Sequence, residues 1–493
     1  MLQKVLIANR GEIAVRVIRA CRELGIASVA VFSDADRLSP HVMAADEAYH
    51  IGPAPSAQSY LRTDALLDVA RRSGCDAVHP GYGFLAERAT FAAAVEEAGL
   101  VFVGPTSAAI AAMGDKTEAR RRMVAADVPV VPGTTEPLQD AAAAAAAALD
   151  FGYPVLLKAA AGGGGKGMRV VREEGHIARA LEAAVHEAEK AFGDGTVYLE
   201  KYLDHPRHVE IQILADDAGR VLYLGERECS IQRRHQKMVE EAPSPAVGPE
   251  LRRRMGEAAV AAAAAVGYRN AGTIEFLLQD GAFYFLEMNT RIQVEHPVTE
   301  LVTGLDLVQW QLRIAGGEHL ALAQEDVVIQ GHALECRITS EDAANGFLPS
   351  TGRIHGVRLP GGPGVRWDGA VADGVEISLY YDPLLGKLIT YGPDRASAVA
   401  RMTRALHELS IRGVETSIPF HRRLMADTDF RAGELDIRFL DRHPDLLDGG
   451  VAEATLEAAA VVSALLEEDR RGRRAVARIE GSVSSNWRDR GWG

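Results

Sequence analysis

The sequence contains few cysteines, and they lie far apart. Cys21, Cys75, Cys229 and Cys336 form no Cys-x-x-Cys motif and show none of the spacings of a zinc site. We therefore expect four reduced thiols. Cys229 and Cys336 fall near charged segments, but a buried, unreactive thiol is the expected state of each.

Long apolar runs are absent. No stretch approaches the roughly 20 apolar residues that a membrane-spanning helix needs. Residues 1–10 read as the start of a strand and lack the basic stretch, apolar core and cleavage site of a signal peptide. These absences predict a cytoplasmic protein without a membrane segment.

An excess of positive charge is missing as well. The 68 acidic residues outnumber the 54 basic residues, which gives a formal net charge of −14. Because the phosphate backbone of nucleic acids attracts basic surfaces, this balance predicts no nucleic-acid partner. Any bound anion must be held by local groups.

The composition is that of a globular protein, with 47% hydrophobic and 25% charged residues. Its 493 residues predict two to four domains, since single cores stop growing at about 250–300 residues. The first hundred residues alternate between strand and helix patterns, beginning with a β-α-β unit, which predicts a parallel sheet. The expected strands cover residues 4–8, 28–32, 77–84 and 100–103, and the expected helices cover residues 12–24 and the segment after Ala89. No Gly-x-Gly-x-x-Gly motif follows the first strand, so a dinucleotide cofactor has no support.

The middle of the chain predicts a small α+β lobe, with helices over residues 141–149 and 177–192 and strands over residues 154–158, 168–171 and 197–200. A third and larger unit begins near Arg207, where Val209, Ile211 and Ile213 alternate with His208, Glu210 and Gln212. It continues to about Arg442. The last fifty residues predict a short Ala/Leu helix followed by a polar, Arg-rich end, which we interpret as a linker or weakly ordered tail.

The most informative segment is residues 274–296, which predicts two strands joined near Asp280 and Gly281. A three-residue loop over residues 280–282 would place Glu275 opposite Glu287, whereas a two-residue loop would place Leu286 there. With the first register, carboxylates, an amide and an arginine share one face, which suits Mg²⁺ and a substrate phosphate. The alternative is a solvated polar face on an ordinary hairpin. The polar residues concerned are Glu275, Glu287, Asn289, Arg291 and Glu295.

A glycine-rich stretch, residues 161–167, follows a strand that carries Lys158. Four adjacent glycines would let backbone N–H groups approach a phosphate chain, although a flexible surface loop is the alternative. The Walker A spacing is not met, since Gly167 stands where the hydroxyl residue belongs. Lys116 and Lys158 could neutralise a triphosphate, and residues 227–237 add five basic residues, which could also form a solvated loop.

Together these segments resemble the biotin carboxylases, the ATP-grasp components of biotin-dependent carboxylases. The resemblance covers residues 1 to about 445 and is carried by residues 4–14, 79–87, 113–116, 162–167 with Lys158, 226–237, 274–296 and 381–387. It implies a mixed α/β and α+β fold with five parts. These are an N-terminal Rossmann-like domain over residues 1–115, a linker and ATP-grasp lid over 116–203, an ATP-grasp core with the metal site over 204–330, a C-terminal domain over 331–445 and a tail over 446–493.

The resemblance also implies the residues of the site. Nucleotide contacts would come from Lys116, Lys158, Gly162, Gly163, Gly164, Gly165, Lys166, Gly167, Glu200, Lys201, Leu203, His208, Gln232, His235, Glu275 and Glu287. Metal ligands would be Glu275, Glu287 and Asn289, binding Mg²⁺ or Mn²⁺, with two ions expected. Bicarbonate would contact Lys237, Arg291, Gln293, Val294 and Glu295. Arg337 would bind biotin, and Arg291, Glu295, Lys237 and Arg337 would be catalytic.

The implied reaction forms carboxyphosphate from ATP and bicarbonate and then carboxylates biotin. Glu295 is a plausible base, held by Arg291 and Lys237. Because the sequence has no Met-Lys-Met biotinylation motif, biotin must arrive on a separate carrier protein, with a carboxyltransferase as a further partner.

The final acceptor of the carboxyl group stays open: acetyl-CoA is expected, with propionyl-CoA, methylcrotonyl-CoA or pyruvate as alternatives. The family also implies a homodimer, with Arg16, Arg19 and Glu23 at matching positions, although they could equally form a polar helix face.

Two rival functions make different predictions. Another ATP-grasp ligase would pass the activated carboxylate to an amine, and its ATP turnover would be indifferent to biotin. A non-catalytic nucleotide-binding protein would lack some metal or base residues, whereas the hairpin residues required here are all present.

Overall fold

The computed structural model describes residues 1–134, 136–159, 168–447 and 453–476. These residues belong to two units, Met1–Leu447 and Asp448–Gly493. Within the described ranges, every helix is too short or too polar to cross a bilayer. The predicted glycine-rich stretch, residues 161–167, lies outside them.

A five-stranded parallel sheet, in the order β3-β2-β1-β4-β5, occupies the N-terminal region and confirms the predicted β-α-β alternation. Val5, Leu6 and Ile7 are fully buried because helices cover both faces of the sheet. The strands are β1 (Lys4–Ile7), β2 (Ala27–Ser33), β3 (Glu47–Gly52), β4 (Ala77–His79) and β5 (Val101–Phe102). The helices are α1 (Gly11–Glu23), α2 (Pro40–Ala44), α3 (Thr63–Ser73), α4 (Ala89–Glu97), α5 (Ser107–Gly114) and α6 (Lys116–Ala125).

The loop after β4 is tied to the end of β1. Asn9 Nδ2 donates to the carbonyls of Pro80 and Tyr82, both at 2.7 Å. Gly81 has a φ of +63°, and a Cβ at this position would lie 2.9 Å from Asn9 Nδ2. Glycine is therefore required where the two segments meet.

A small lobe follows, with a three-stranded antiparallel sheet in the order β7-β6-β8. Its core joins Ala144 and Ala148 of one helix to Leu181 of the other and to Leu157 and Leu199 of the sheet. The predicted α+β arrangement is confirmed. Its elements are α7 (Ala141–Phe151), β6 (Val155–Ala159), β7 (Met168–Val171), α8 (Ile177–Phe192) and β8 (Val197–Lys201).

The largest sheet has eight strands in the order β13-β12-β9-β10-β11-β14-β21-β19. They are β9 (Arg207–Ala215), β10 (Val221–Arg233), β11 (Gln236–Ala242), β12 (Asn270–Gln279), β13 (Ala282–Asn289), β14 (His332–Thr339), β19 (Val365–Gly369) and β21 (Leu384–Gly392). Shorter strands are β15 (Glu341–Asp342), β16 (Leu348–Pro349), β17 (Gly352–Arg353), β18 (Gly356–Arg358), β20 (Glu376–Ile377) and β22 (Ser410–Arg412). The helices are α9 (Pro249–Ala264), α10 (His296–Thr303), α11 (Leu307–Ala315), α12 (Arg395–Glu408), α13 (Ile418–Ala426), α14 (Thr428–Ala432) and α15 (Phe439–Arg442).

The predicted alternation along β9 is confirmed. Val209, Ile211 and Ile213 join a hydrophobic core that includes Met255 and Ala259 of α9. The intervening side chains, from His208 to Gln212, are polar and buried on the opposite face. One face of this sheet therefore packs in the hydrophobic core. The other face is polar and is covered by further parts of the protein, so its polar groups need hydrogen-bond partners within the site.

The β12–β13 hairpin corrects the predicted loop while keeping the predicted pairing. Gln279 pairs with Ala282, so the loop holds only Asp280 and Gly281, both at positive φ. The register shifts further along, because Phe276 pairs with Phe285 but Glu275 pairs with Glu287. Leu286 is thus the extra residue of a β-bulge, and its side chain is 42% exposed.

The described residues of the second unit form one long helix, α16 (Glu453–Val476), of 24 residues. The expected helix was short, so its predicted length is wrong. The large apolar side chains of Val461, Val462, Leu465 and Leu466 are exposed in its described part. The predicted Arg-rich end continues into residues 477–493, which are outside the described part.

Candidate active site

Four charged residues form a row across four neighbouring strands. Arg227 on β10 pairs with Glu210 on β9, Glu210 pairs with Glu275 on β12, and Glu275 pairs with Glu287 on β13. Directly opposite residues on neighbouring strands place their side chains on the same face. The sheet order therefore brings three carboxylates and one guanidinium together.

Arg227 anchors this row from inside the protein. Its side chain is fully buried, and Nε donates to Glu210 Oε1 at 2.5 Å. Its terminal nitrogens donate to Gln212 and Gln293 at 2.6 Å and to two threonine hydroxyls at 3.0 Å. All three guanidinium nitrogens are hydrogen-bonded, as a buried charge requires.

Lys237 on β11 reaches the centre of the row. Its Nζ donates to Glu210 Oε2 at 2.5 Å, Glu295 Oε1 at 2.7 Å and Glu275 Oε1 at 2.9 Å. Burial alone would lower the pKa of this ammonium, but the three carboxylates hold it well above its ordinary value. Lys237 is therefore a fixed positive charge among three negative ones.

Glu275 is the most heavily hydrogen-bonded carboxylate of the row. Oε1 also accepts from Asn289 Nδ2 and Gln293 Nε2, both at 2.8 Å, while Oε2 lies 3.0 Å from His208 Nε2. Burial opposes its ionisation, yet Lys237 and His208 hold its pKa well below the ordinary range. Glu275 is accordingly an anion at neutral pH, and it lies buried rather than on a solvated face.

The expected metal ligands lie side by side. Glu287 is exposed, and its carboxylate makes no hydrogen bond or ion pair with any residue in the described ranges. Although Glu287 is exposed, the surrounding protein still desolvates its carboxylate in part, and this desolvation and the negative charge of Glu275 raise its pKa, as happens when two carboxylates share a site without a cation between them. Carboxylate and amide oxygens suit Mg²⁺, and the two oxygens of Glu287 accept from no residue in the described ranges. The set formed by Glu275, Glu287 and the Asn289 amide oxygen therefore fits a divalent cation.

Glu295 immediately precedes α10 and is held by two cations. Oε1 accepts from Lys237, and Oε2 accepts from Arg337 Nη2 at 2.8 Å. Burial would raise its pKa, but Lys237 and Arg337 lower it well below the ordinary range. Arg291, the other residue expected to hold Glu295, acts on it through its charge rather than by a direct hydrogen bond. Its guanidinium donates to Glu87 at 2.9 Å and to Asn289 Oδ1 at 2.7 Å.

The two residues between Arg291 and Glu295 that were expected to bind bicarbonate have internal partners. Gln293 Nε2 donates to Glu275, and its oxygen accepts from Arg227. The Val294 carbonyl accepts from Lys387 Nζ at 2.7 Å. The segment before α10 is thereby fixed at both residues.

The residues expected to contact nucleotide are divided between two regions. On the small lobe, Lys158 Nζ lies 3.5 Å from Glu200 Oε2, whereas Lys201 Nζ donates to the Gly152 carbonyl. Leu203 follows β8 and is partly buried, and Lys116 is the exposed first residue of α6. On the large sheet, Gln232 Nε2 donates to the Cys229 carbonyl, and His235 is exposed at the β10–β11 turn with a φ of +65°. Gly162, Gly163, Gly164, Gly165, Lys166 and Gly167 lie outside the described residues.

Sequence reasoning missed four residues that shape the site: Glu87, Glu210, Arg227 and Lys387. Glu210 shares the polar side of β9 with His208, which was the available signal, and Arg227 opens the basic segment. Glu87 contacts Arg291 only because the N-terminal sheet packs near the hairpin. Lys387 is fully buried on a strand that pairs with β14, a neighbour that spacing along the sequence does not predict. All four cysteines are free and buried, as expected.

Comparison with family models covers most of the chain. Residues 1–110 match the model described as biotin carboxylase, N-terminal domain. Residues 115–323 match the ATP-binding domain of the carbamoyl-phosphate synthase L chain, and residues 335–442 match the biotin carboxylase C-terminal domain. The five-stranded sheet lies within the first match and the small lobe within the second, whereas the eight-stranded sheet takes strands from the second and the third.

Individual relatives are similar over nearly their full length. A pyruvate carboxylase subunit from Methanothermobacter thermautotrophicus is 54% identical over 466 residues, which cover 94% of this chain and 95% of the relative. A biotin carboxylase of Haemophilus influenzae is 53% identical over 443 residues, covering 90% and 99%. Among solved structures, the biotin carboxylase domain dimer of Hydrogenobacter thermophilus 2-oxoglutarate carboxylase, in complex with MgADP, ADP and bicarbonate, has a TM-score of 0.84. It is 50% identical, and the match covers 92% of this chain and all of that chain.

Proposed function

Because the chain belongs to the biotin carboxylase family of ATP-dependent ligases, we propose that it uses ATP to transfer the carbon of bicarbonate to biotin. The observation that supports this most strongly is the position of Lys237. One buried ammonium contacts Glu275, an expected metal ligand, and Glu295, the expected base, and Glu295 in turn contacts Arg337. The residues proposed for phosphoryl transfer, bicarbonate activation and biotin binding thus belong to one continuous network of ion pairs.

We propose that MgATP binds above the charged row. Glu275, Glu287 and Asn289 would hold Mg²⁺, or Mn²⁺, together with oxygens of the triphosphate, and the family resemblance implies two ions. A bound divalent cation would offset charge on the phosphates. The proposed nucleotide contacts are Lys116, Lys158, His208, Gln232 and His235. The segment from Glu200 to Leu203 is proposed to lie beside the adenine. The related 2-oxoglutarate carboxylase domain, which was solved with MgADP and bicarbonate, supports this proposal.

Bicarbonate is proposed to bind between Lys237 and Arg291. The depressed pKa of Glu295 makes this carboxylate a weak base in the free protein. An anion that hydrogen-bonds Lys237 would weaken the Lys237–Glu295 ion pair, and the pKa of Glu295 would rise toward a value suited to proton transfer. Glu295 would then take the bicarbonate proton as the bicarbonate oxygen attacks the γ-phosphorus, giving carboxyphosphate and ADP.

Arg337 is proposed to bind the ureido oxygen of biotin. Carboxyphosphate would release CO₂ and phosphate, the phosphate would remove the ureido proton, and Arg337 would stabilise the developing oxyanion. Arg337 Nε donates to Glu240 and Nη2 donates to Glu295, so its plane is fixed before any substrate binds. A preoriented guanidinium lowers the cost of reaching the transition state.

We propose that biotin arrives on a separate carrier protein and that a carboxyltransferase uses the product. Acetyl-CoA is the acceptor expected from the sequence. One observation favours a 2-oxo acid instead, because the match to the Methanothermobacter pyruvate carboxylase protein spans 466 residues and so extends into the region beyond residue 447. Propionyl-CoA and methylcrotonyl-CoA remain further alternatives within the same chemistry.

A homodimer is also proposed, supported by the dimeric relative. Two of the three expected interface residues have partners within the chain, since Arg16 contacts Glu300 and Asp306 and Glu23 accepts from Gln309. Arg19 is exposed on the same helix. The proposed division into domains remains residues 1–115, 116–203, 204–330, 331–445 and 446–493.

The proposed function is tested by the cofactor and substrate dependence of ATP hydrolysis. We expect the purified chain to release phosphate from MgATP only when bicarbonate is present, and to do so faster when free biotin is added. ATP turnover that is equal in bicarbonate-free buffer would contradict the proposal. Turnover that needs bicarbonate but responds to an amine rather than to biotin would support the rival ligase function.

A further inference from the structure

Two buried glutamates lie directly opposite each other behind Arg337. Glu240 on β11 pairs with Glu335 on β14, and both residues have no exposed surface. Arg337 is two residues after Glu335 on the same strand, so the period of two in a strand puts all three side chains on one face. Neither Glu240 nor Glu335 is among the residues expected to bind metal, nucleotide or bicarbonate.

The hydrogen bonds of this pair do not account for two negative charges. Glu240 Oε1 accepts from Arg337 Nε at 2.6 Å. Glu240 Oε2 and both oxygens of Glu335 have no hydrogen-bond partner in the part of the chain that the structure describes. An ionised carboxylate that is buried without a partner is strongly destabilised, so the usual outcome is that the group takes up a proton.

The surrounding cations are already engaged. Lys387 on β21 lies 3.1 Å from Glu12 of α1 and donates to the Val294 carbonyl. Lys237 contacts Glu210, Glu275 and Glu295, while Arg337 is shared between Glu240 and Glu295. The charged side chains that act on the pair are Lys237 on β11, Arg337 on β14, Lys387 on β21 and Glu295 before α10, with Glu12 of α1 beside Lys387. Among the described residues, none of the three cations is hydrogen-bonded to Glu335.

The pKa values of both carboxyl groups are raised, as expected for a pair that lacks enough positive partners. Burial raises the pKa of Glu240 to about 7, even though Arg337 acts in the opposite direction. Burial and the charge of Glu240 raise the pKa of Glu335 well above its ordinary value, against the effect of Lys387. Two neighbouring carboxyl groups that cannot both ionise commonly hold one proton between them.

We propose that Glu335 is a neutral positioning residue, whose carboxyl O–H donates to Glu240 so that the pair holds one proton and one negative charge behind Arg337. The neutral carboxyl keeps Glu240 aligned on the guanidinium Nε. It also keeps a second negative charge away from Arg337, which therefore retains its positive character toward an anionic substrate. This kinetic consequence rests on the proposed function, but the protonation state of Glu335 does not.

Infrared difference spectroscopy at pH 7 tests the protonation state directly. The wild-type spectrum minus that of Glu335→Gln is expected to contain the C=O band of a neutral carboxylic acid. Glu226→Gln is the matched control, since Glu226 is also buried on this sheet but is held at both oxygens by Arg252 at 2.6 and 2.7 Å. Its difference spectrum is expected to contain only carboxylate bands. Absence of the neutral band from the Glu335→Gln spectrum would overturn the proposal, whatever the enzyme's reaction proves to be.

The positioning role is tested by two substitutions that differ only in hydrogen bonding. Glutamine can still donate to Glu240, so Glu335→Gln is expected to keep the biotin-stimulated rate of ATP hydrolysis within about twofold, whereas Glu335→Leu should lower it roughly tenfold. The bicarbonate-dependent rate without biotin should change much less in both variants. Equal losses in both variants, or equal losses of both rates in a Leu variant with a native circular dichroism spectrum, would overturn the role. If the wild type shows no biotin stimulation, the proposed function fails and the infrared result still decides the state of Glu335.

Discussion

Lys237 Nζ donates to Glu295 Oε1 at 2.7 Å, and this ion pair links the two halves of the site. The same ammonium contacts Glu275 on the metal side, while the second oxygen of Glu295 contacts Arg337 on the biotin side. A substrate anion that binds Lys237 must therefore compete with Glu295. Competition of this kind couples bicarbonate binding to the basicity of Glu295. A rise of one unit in the pKa of Glu295 would correspond to a coupling free energy of about 1.4 kcal/mol.

We expect Glu295→Gln to lower bicarbonate-dependent ATP hydrolysis by roughly 100-fold or more, because an amide cannot accept the bicarbonate proton. Nucleotide affinity, measured by fluorescence titration with MgADP, should be nearly unchanged. Glu226→Gln provides the control for loss of a buried carboxylate that pairs with an arginine. If the control loses as much activity as Glu295→Gln, the effect is structural and the assigned role is wrong.

Lys237→Met should destabilise the protein, because it leaves three carboxylates without their shared ammonium. We expect a loss of about 3–5 kcal/mol in the free energy of unfolding by urea, as for other buried ion pairs that lose one partner. Added Mg²⁺ should recover part of this loss by binding among the uncompensated carboxylates. An unchanged unfolding midpoint in metal-free buffer would show that the three contacts contribute nothing.

Glu287→Gln should raise the Mg²⁺ concentration that half-maximal ATP hydrolysis requires, by about tenfold or more, since one of the two carboxylates expected to hold the ion is lost. Asp280→Asn is the matched control, because Asp280 lies at the exposed turn of the same hairpin. Titration of activity with Mg²⁺ measures the effect. Equal Mg²⁺ requirements in both variants would place the ion elsewhere.

Asp36 provides a prediction about stability and pH. Burial would raise its pKa, but the hydrogen bonds and charge of Arg10 lower it to about 2, against an ordinary value of 3.8. The stabilisation is therefore complete above about pH 4 and disappears as the pH falls toward 2. We expect Asp36→Asn to cost about 2–4 kcal/mol in urea unfolding at pH 7, with the gap to wild type narrowing below pH 4.

Asp34→Asn is the control for that measurement, because Asp34 belongs to the same short turn but is 59% exposed in its pair with His50. Its cost should stay below about 0.5 kcal/mol at each pH, as for other exposed ion pairs. A gap between Asp36→Asn and wild type that stays constant from pH 7 to about pH 3 would contradict the assigned pKa.

Features that depend on local pattern could be predicted from the sequence. The alternation along β9, the β-α-β unit and the convergence of Glu275 with Asn289 all follow from the period of two in strands and from strand order. The pairing of Glu275 with Glu287 was also expected, but for the wrong reason. The turn is one residue shorter than predicted, and the bulge at Leu286 restores the register. A bulge is set by contacts on both faces of a sheet, which periodicity does not encode.

Features that depend on packing between distant segments could not be predicted. Arg291 was expected to hold Glu295, but it acts there only through its charge, because its guanidinium donates to Glu87 of the N-terminal region. Arg337 donates to Glu295 directly, because β14 lies beside β11 in the large sheet. Lys387 is buried for the same reason, next to β14 from the other side. In each case the partner lies on a strand or loop that is far away in sequence.

The most direct test of the proposed reaction is transfer of labelled carbon from bicarbonate to biotin. The purified chain is incubated with ¹⁴C-bicarbonate, MgATP and free biotin, and the biotin is separated and counted. We predict label on biotin that requires both ATP and Mg²⁺ and that falls in the Arg337→Met variant, whose bicarbonate-dependent ATP hydrolysis persists. Unlabelled biotin from a wild-type reaction that hydrolyses ATP in the presence of bicarbonate would contradict the account.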